Sequence, residues 1–288
     1  MAVISKIQVG TNGSSYELGD VDARSWIDSY GFLPNNPYLH NAIPRGKNIQ
    51  EYFDNGSLYT KISNGTFEDL FIGDYWKAKY NGVEKTFRIA GFNIYNIRTH
   101  TSDSYTLGNH AVIVPDEILG SCEMNQTNTT VGGYRGSYAN KTVIGDPATS
   151  GGTSTVNQCL RSIFGNHLLT IKEYLYYSMT DSYNSAAGMG FRGVATISVI
   201  TDCQAIPMSE VELYGSSIYG SRRGETGFYV TQLPLFRLMP QMKNPGNYNF
   251  WLRTISSTEG FCVCGRDGSP RYSIPTGEHD VRPRFVIG

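Results

Sequence analysis

The sequence predicts a fold of the α+β class, with a mixed or antiparallel sheet and two or more helices after a small N-terminal β-hairpin region. Three observations predict it. Short apolar, β-branched or aromatic runs recur between Gly, Pro and Asn, which is typical of strands joined by turns. Two segments, residues 155–164 and 170–179, have the pattern of helices. Hydrophobic residues form 40% and aromatic residues 12% of the 288-residue chain, which suits a packed core.

The N-terminal part of the chain is predicted to be a hairpin followed by a linker. Residues 1–24 alternate around Asn12-Gly13, and this pair favours a tight hairpin turn. Residues 25–64 contain several prolines and are predicted to be turn-rich or extended, with a short helix within residues 48–54. We therefore treat residues 1–64 as an N-terminal segment and residues 65–288 as the globular domain.

Strand patterns dominate the first half of the globular domain. Residues 76–80 and 86–95 flank Asn81-Gly82, which predicts a second hairpin. The segment His110–Pro115 is predicted to be a buried strand that ends at its proline. The β-branched segment Val194–Ile200 is predicted to be a further strand.

The two helix predictions lie in the middle of the chain. Residues 155–164 are followed by Gly165-Asn166, which is typical of a helix stop. Residues 170–179 begin with Thr170-Ile171-Lys172-Glu173, which fits a capping box. The Gly- and Ser-rich segments 180–193 and 215–227 are predicted to be loops.

Composition and charge exclude several kinds of function. The net charge is −1, so nothing indicates nucleic acid or an anionic membrane as a partner. The N-terminus lacks a signal-peptide core and no run of eighteen apolar residues occurs, so we expect a soluble protein. The five cysteines have no paired spacing, which argues against a disulfide scaffold and for assembly in a reducing compartment.

Metal, cofactor and catalytic signals are weak. No two of the five histidines have ligand spacing, and His110 beside a buried strand is predicted to be a satisfied core residue. Cys262 and Cys264 would point to the same face of a strand, where a disulfide between them would be strained. No nucleophile elbow or phosphate-binding loop occurs. We predict no catalytic residue, no metal and no cofactor.

The C-terminal segment, Asn247–Gly288, has a distinct organisation. Aromatic and β-branched residues mark both of its ends, at Phe250-Trp251 and at Phe285-Val286-Ile287, and predict two buried strands. The middle is rich in Gly, Pro, Ser and Thr with scattered Arg, Tyr and His. That composition is typical of a binding loop held on a rigid frame.

These residues carry a family resemblance. Trp251-Leu252-Arg253, the pair Gly265 and Gly268, and Val281-Arg282-Pro283-Arg284-Phe285 resemble the closing segment of C-type-lectin-like domains. The branch is the one shared by formylglycine-generating-type proteins and by the variable proteins of diversity-generating retroelements, to which phage tropism determinants at tail-fibre tips belong. The resemblance covers residues 65–288, and the C-terminal frame is its specific part. It implies that the last strands return to a central sheet and expose the segment between them to a ligand.

The resemblance also implies how this segment varies. In the family, adenines are rewritten, mostly in Asn codons, which yields no Lys, Gln, Met, Trp or Glu. From Leu252 to Gly288 the chain has no Lys, Gln, Met or Trp, and its glutamates there are Glu259 and Glu278. The depletion is in the expected direction.

The resemblance implies a non-enzymatic receptor-binding protein whose contacts fall within the variable segment. Tyr and Arg side chains there would anchor a partner at small entropic cost. The expected contact residues are Ser256, Ser257, Thr258, Glu259, Phe261, Arg266, Ser269, Arg271, Tyr272, Ile274, Glu278 and His279. The expected frame residues are Trp251, Leu252, Val281, Arg282, Pro283 and Phe285. Arg282 is expected to bond backbone carbonyls and so to fix the returning strand.

The expected partners follow from the same resemblance. The ligand would be a host cell-surface protein or glycan. Residues 1–24 resemble the short N-terminal segment of many phage tail and baseplate proteins, so residues 1–64 would attach the chain to other tail or baseplate proteins or support a homotrimer. The alternative is an edge hairpin packed on its own domain. The protein would be assembled in the bacterial cytoplasm and work in the virion tail.

Three other functions stay open. One is a bacterial surface adhesin of the same fold, and another is a virion structural protein in which the lectin-like domain is a spacer. The third is an enzyme of the formylglycine-generating type. Those enzymes use two cysteines separated by four residues near the C-terminus, whereas Cys262 and Cys264 are separated by one.

Overall fold

The computed structural model describes residues 6–8, 15–17, 37–95, 97–100, 103–145, 155–183, 192–220 and 231–288. It confirms the predicted α+β class, with both an antiparallel and a mixed sheet. The predicted Asn12-Gly13 turn, much of the predicted linker and most of the loop predictions at 180–193 and 215–227 lie outside the described residues.

The strands of the described chain are short except for one long hairpin. In chain order they are β1 (Lys6–Gln8), β2 (Ser15–Glu17), β3 (Tyr75–Tyr80), β4 (Val83–Phe92), β5 (Ile97–His100), β6 (Asp103–Thr106), β7 (Ala111–Pro115), β8 (Gly120–Glu123), β9 (Ile171–Tyr183), β10 (Arg192–Cys203), β11 (Ile206–Pro207), β12 (Phe250–Ser257), β13 (Gly260–Cys264), β14 (Pro270–Ser273), β15 (Glu278–Val281) and β16 (Pro283–Ile287).

The helices of the described chain are also short. They are α1 (Pro37–His40), α2 (Gln50–Asp54), α3 (Ser57–Ser63), α4 (Gly133–Gly136), α5 (Val156–Phe164), α6 (Glu210–Tyr214) and α7 (Pro234–Leu238), with a π-helical segment at Ala139–Ile144 and 3-10 turns at Gly165–His167 and Pro240–Lys243. No helix within the described ranges is long and apolar enough to cross a membrane.

Two five-stranded sheets organise the domain. The first is antiparallel, in the order β11-β16-β7-β4-β3, and the second has the order β14-β13-β12-β15-β8. In the second sheet β12 and β15 are parallel, and the other neighbours are antiparallel. Three antiparallel hairpins lie outside these sheets: β1-β2, β5-β6 and β9-β10. The predicted N-terminal hairpin and the predicted strand within β10 are therefore confirmed.

The first sheet confirms several predicted features. Between β3 and β4, Asn81 and Gly82 both have positive φ angles (47° and 79°), as a tight hairpin turn of this type requires. The predicted strand at His110–Pro115 is β7, which lies between β16 and β4 and is buried along its whole length. His110 is fully buried, and its Nε2 accepts from the backbone N–H of Tyr95 at 3.1 Å, so it is a satisfied core residue.

The predicted helix at residues 155–164 is α5. Thr155 caps it: its hydroxyl accepts from the backbone N–H of Gln158, whose side chain accepts in return from the backbone N–H of Thr155. Phe164 at the end of α5 packs against Phe87 of β4 and Phe285 of β16, with ring centroids 5.4 and 5.1 Å apart. The C-terminal strand is thus part of the central aromatic core.

The predicted helix at residues 170–179 is wrong, because this segment belongs to β9. Ile171, Glu173 and Leu175 are buried at every second position, which is the period of a strand. Aromatic residues in the segment favour strand over helix, and β9 pairs along its length with β10. The resemblance of its first residues to a capping box does not outweigh that pairing.

Residues 37–64 pack on the same core as the rest of the domain. Ile49, just before α2, and Leu58 and Ile62 of α3 are buried in one cluster with the sheets. Arg45 forms an ion pair with the fully buried Asp74. The core therefore begins well before Gly65, the predicted start of the globular part.

Candidate ligand-binding face

The C-terminal segment passes through both sheets. It forms β12 at the centre of the second sheet, β13 beside it and β14 at the sheet edge, then crosses to β15 on the other side of β12. It ends as β16 in the first sheet. The two end strands, β12 and β16, are buried almost throughout, whereas β14 is exposed. The frame residues named from the sequence (Trp251, Leu252, Val281, Arg282, Pro283, Phe285) are all buried.

A buried cluster of four charges joins the two ends. Arg253 of β12 and Arg284 of β16 both contact Glu212 of α6 and Glu173 of β9. Arg284 Nε and Nη2 lie 3.1 and 3.0 Å from Glu212 Oε1. Two positive and two negative side chains are thus enclosed together, so the cluster is neutral and each charge has an opposite partner.

The charge state of this cluster follows from its pairing. Burial alone would raise the pKa of Glu212, but Arg253 and Arg284 hold that pKa below its ordinary value. Burial alone would lower the pKa of Arg284, but Glu173 and Glu212 raise it well above its ordinary value. Tyr95 donates its hydroxyl to Glu212 Oε1 at 2.7 Å, and the Arg284 guanidinium lies 4.5 Å from the Tyr95 ring centroid. Glu212 and Arg284 therefore both stay ionised at neutral pH.

Arg282 fixes the returning strand through backbone carbonyls, as predicted. It is fully buried, and its guanidinium donates to the carbonyl oxygens of Pro115, Lys243 and Met242 at 2.8, 2.6 and 3.1 Å. Burial lowers its pKa to about 10, still far above neutral pH. The charged guanidinium therefore ties β16 to the end of β7 and to the 3-10 turn before β12.

The edge strand β14 presents the exposed part of the segment. Tyr272 and, just after the strand, Ile274 are 52% and 51% exposed. Arg271 is exposed as well and forms an ion pair with Asp267 at 3.1 Å. Ser269 donates to Asp267 through its hydroxyl and its backbone N–H, and these bonds lower the pKa of Asp267 to about 2. The turn before β14 is thereby closed around a charged carboxylate.

Residues 125–130 hold the turn before β13 and the loop after β14 in place. Thr130 donates its hydroxyl to the carbonyl oxygens of Ser257 and Thr258 in the β12–β13 turn, at 3.0 and 2.9 Å. The backbone N–H of Asn125 donates to the carbonyl of Pro275 at 3.0 Å. Both the turn and the loop after β14 are therefore positioned by residues outside the C-terminal segment.

Two of the predicted contact residues are wrong. Ser256 and Phe261 are fully buried, so they cannot meet a ligand on the outside. Phe261 faces Trp251 across the β12–β13 pair, with ring centroids 6.4 Å apart and planes nearly perpendicular. Both positions belong to the core of the second sheet.

His279 is half-buried, and its ring packs against a neighbouring aromatic side chain. Its ring meets the Trp251 ring edge-to-face at a centroid distance of 4.5 Å, and burial lowers its pKa. Its buried Nε2 has no hydrogen-bond partner among the residues that the structure describes. The imidazole is therefore held in its neutral form near neutral pH.

The remaining predicted residues form three groups and one outlier. Ser257, Thr258, Glu259 and Ile274 lie at one end of the β12–β13–β14 meander, and Arg266 and Ser269 lie at the other. The length of β13 separates the two ends by roughly 17 Å, and Arg271 and Tyr272 lie between them on β14. Glu278 lies on β15, beyond β13 and β12, where it accepts from the Ser121 hydroxyl.

The loop beside Tyr272 was not predicted as part of the face. The Tyr219 ring lies 5.2 Å from the Tyr272 ring, and Ile218 next to it is 42% exposed. The fully buried carboxylate of Glu210 accepts from the backbone N–H groups of Ile218, Tyr219 and Gly220, which fixes this loop. Aromatic and apolar side chains among Gly and Ser are typical of adaptable binding surfaces, and that was the signal available in the sequence.

The cysteines lack the features of a reactive site. All five are free, and Cys262 and Cys264 are buried on β13. Burial raises the pKa of Cys264 to about 11 and that of Cys122 to about 12, so both thiols stay protonated at neutral pH. Within the described ranges, no three His, Cys, Asp or Glu side chains are grouped so that they could hold a metal ion.

A scan against protein-family models, a search of curated proteins and a search of solved structures each give no match to this chain. We therefore define the candidate face from the structure of this chain alone. It comprises the edge strand β14 with the two turns that flank it, and the Ile218–Gly220 loop that packs against Tyr272.

Proposed function

We propose that this chain is a non-enzymatic receptor-binding protein of a phage or prophage tail, and that the face around β14 binds a protein or glycan on the host cell surface. One observation carries the proposal. The two ends of the C-terminal segment are locked in the core by buried arginines, while the side chains between them at Arg271, Tyr272 and Ile274 are exposed.

The composition of the exposed face supports binding. Tyr272 and Tyr219 give a large amphipathic surface with few rotatable bonds, so little conformational entropy is lost when a partner covers them. Arg271 lies beside Tyr272 and adds a charged group with several donors. Tyrosine and arginine are enriched among the few residues that carry most of the binding energy of protein interfaces.

The other parts of the proposal rest on the sequence resemblance. The domain would have a C-type-lectin-like fold, the part of the N-terminal segment before residues 37–64, which pack in the core, would attach the chain to tail or baseplate proteins, and a homotrimer would multiply weak single-site contacts. The protein would be assembled in the bacterial cytoplasm and carried in the virion tail. Antiparallel pairing of β16 in the first sheet is compatible with the returning C-terminal strand of that fold.

Cell binding tests the proposal. The fluorescently labelled chain should bind cells of the strain that carries the gene or of its close relatives. An Arg271→Ala, Tyr272→Ala double variant should bind at least tenfold less, with an unchanged melting temperature. A matched control is Lys77→Ala, Lys79→Ala, which changes two exposed side chains of β3 in the other sheet. Equal binding by the double variant and the wild type would refute the assignment of the face.

The genomic neighbourhood tests the family assignment separately. A reverse-transcriptase gene and a near-copy of the codons for residues 247–288, with adenines at the mismatched positions, are expected beside this gene. Adjacent tail genes without either would favour a virion structural protein in which this domain is a spacer.

A further inference from the structure

A cleft of about 410 Å³, lined by both polar and apolar surface, lies outside the C-terminal segment. Its walls are the loop after β8 and the segment that enters the π-helix. Its volume falls within the ~300–1,000 Å³ of small-molecule sites. Four polar side chains that line it are those of Gln126, Thr127, Tyr138 and Lys141.

Hydrogen bonds of a buried side chain join the two walls of the cleft. Asn125 is buried, and its side-chain amide spans the two walls: Nδ2 donates to the carbonyl of Thr129 at 2.6 Å, and Oδ1 accepts from the backbone N–H of Tyr138 at 3.1 Å. The Thr142 hydroxyl donates to the carbonyl of Tyr138 at 2.6 Å. The cleft is therefore pre-organised, which reduces the entropic cost of binding.

The side chains that face the cleft are not engaged by the protein. Within the part of the chain that the structure describes, the polar ends of Gln126, Thr127, Tyr138 and Lys141 have no hydrogen-bond or ion-pair partner. They comprise an amide, an aliphatic hydroxyl, a phenol and an ammonium group. Four different polar groups therefore converge on one concavity whose backbone is fixed independently of them.

We propose that this cleft binds an acidic saccharide unit, a pyranose ring that carries a carboxylate. Amide and hydroxyl groups pair with ring hydroxyls, and the Tyr138 ring has an apolar face for the C–H side of a sugar. Lys141 is the charged residue of the lining, which contains no Asp or Glu, so the carboxylate meets an unopposed cation.

The site is separate from the β14 face but adjoins it. Thr130, within the same loop, holds the β12–β13 turn, and the loop after β14 bonds to Asn125. None of the lining residues belongs to Asn247–Gly288, and Asn125 and Thr130 bond to backbone carbonyls of that segment, so side-chain changes there would preserve those bonds. The cleft can therefore bind its ligand whether or not the β14 face binds a receptor.

Saturation-transfer NMR on the full chain tests whether the cleft binds an acidic saccharide. The probes are methyl β-D-glucuronide and the neutral methyl β-D-glucoside. The glucuronide should receive saturation and bind about tenfold more tightly than the glucoside, because it adds one charge-assisted contact to Lys141. Its titration should shift the backbone amide signals of residues 125–142. No saturation transfer at millimolar probe, or shifts confined to other residues, would overturn the proposal.

Variants separate the contribution of the Lys141 charge to binding from that of the Gln126 and Thr127 side chains. Lys141→Gln should reduce glucuronide binding to that of the glucoside, while Lys79→Gln, which changes another exposed lysine on β3, should leave both unchanged. Gln126→Ala with Thr127→Val should weaken both probes. If N-acetylaspartate amide binds as tightly as the glucuronide and is unaffected by the Gln126 and Thr127 changes, the site recognises charge alone, and a saccharide site is refuted.

Discussion

The core and the edge of the C-terminal segment both carry arginine–carboxylate pairs, yet the two regions use them differently. Arg284 and Glu212 are fully buried, so each charge is stabilised by the other in place of water. Arg271 and Asp267 are both 58% exposed at the edge, where water can replace either partner. A buried pair that loses one member leaves an uncompensated charge, whereas an exposed pair is solvated by water and contributes little to stability.

This difference separates stability from recognition within one short segment. Arg253 and Arg284 share two carboxylates, so both ends of the segment are anchored to the same point in the core. The strand β14 is attached to that frame by backbone pairing with β13, while its side chains make surface contacts, Arg271 with Asp267 and Tyr272 with Tyr219. Substitutions at the edge should therefore change binding without changing the fold.

The largest expected effect comes from the shared carboxylate. Glu212→Gln removes the charge that both Arg253 and Arg284 contact, and should lower the free energy of unfolding by roughly 3–5 kcal/mol. Urea unfolding followed by circular dichroism measures it. Glu278→Gln, at the exposed first position of β15, is the matched control and should stay within about 0.5 kcal/mol of the wild type. A loss below about 1 kcal/mol for Glu212→Gln would contradict a structural role for the cluster.

Two adjacent strands give the next comparison. Phe261→Ala should cost about 3–5 kcal/mol because it leaves a cavity beside Trp251. Tyr272→Ala on β14 should cost far less, because half of that ring is in water. Both values come from the same urea titrations. Similar losses for the two variants would mean that β14 belongs to the core and is not a binding edge.

The sequence predicted the frame better than the face, for a physical reason. Burial of Trp251 and Phe285 follows from their hydrophobicity, and a guanidinium enclosed beside an apolar strand, that of Arg282, has to find acceptors such as backbone carbonyls. Which residues of an irregular segment are exposed depends on strand register. Phe261 lies inside because β13 runs between β12 and β14 and is buried along its whole length, and that position in the sheet is not visible in composition.

Long-range contacts explain the other differences. The local pattern around Glu173 predicts a helix, but its partners are Arg253 and Arg284, which are far away in the chain, and it reaches them from a strand. Tyr219 meets Tyr272 only because Glu210 holds its loop. Neither pairing leaves a periodic signal, so local patterns could not predict them.

The pH dependence of stability should show a smaller difference between the core and the edge of the C-terminal segment. The pKa of His279 is lowered by burial, so the unfolded chain binds the proton more readily than the folded chain. Its contribution to stability is present above its ordinary value of 6.5 and is lost as the pH falls from there through the folded pKa. His279→Gln should therefore flatten the pH dependence of the urea midpoint between pH 7 and 5. A proton NMR titration of the imidazole with a pKa at or above 6.5 would contradict it.

The smallest expected effect lies in the turn before β14. Asp267→Asn removes the partner of Arg271, but both side chains are solvated, so the melting temperature at pH 7 should be unchanged. The Arg271 Nε–H signal in a ¹⁵N-correlated spectrum should lose its distinct shift, because the pair that restrains the guanidinium is gone. In the wild type that signal should collapse only as the pH approaches about 2, where Asp267 protonates. If Asp267→Asn instead lowers the melting temperature as much as Glu212→Gln does, the edge and the core are coupled, and the separation of recognition from stability fails.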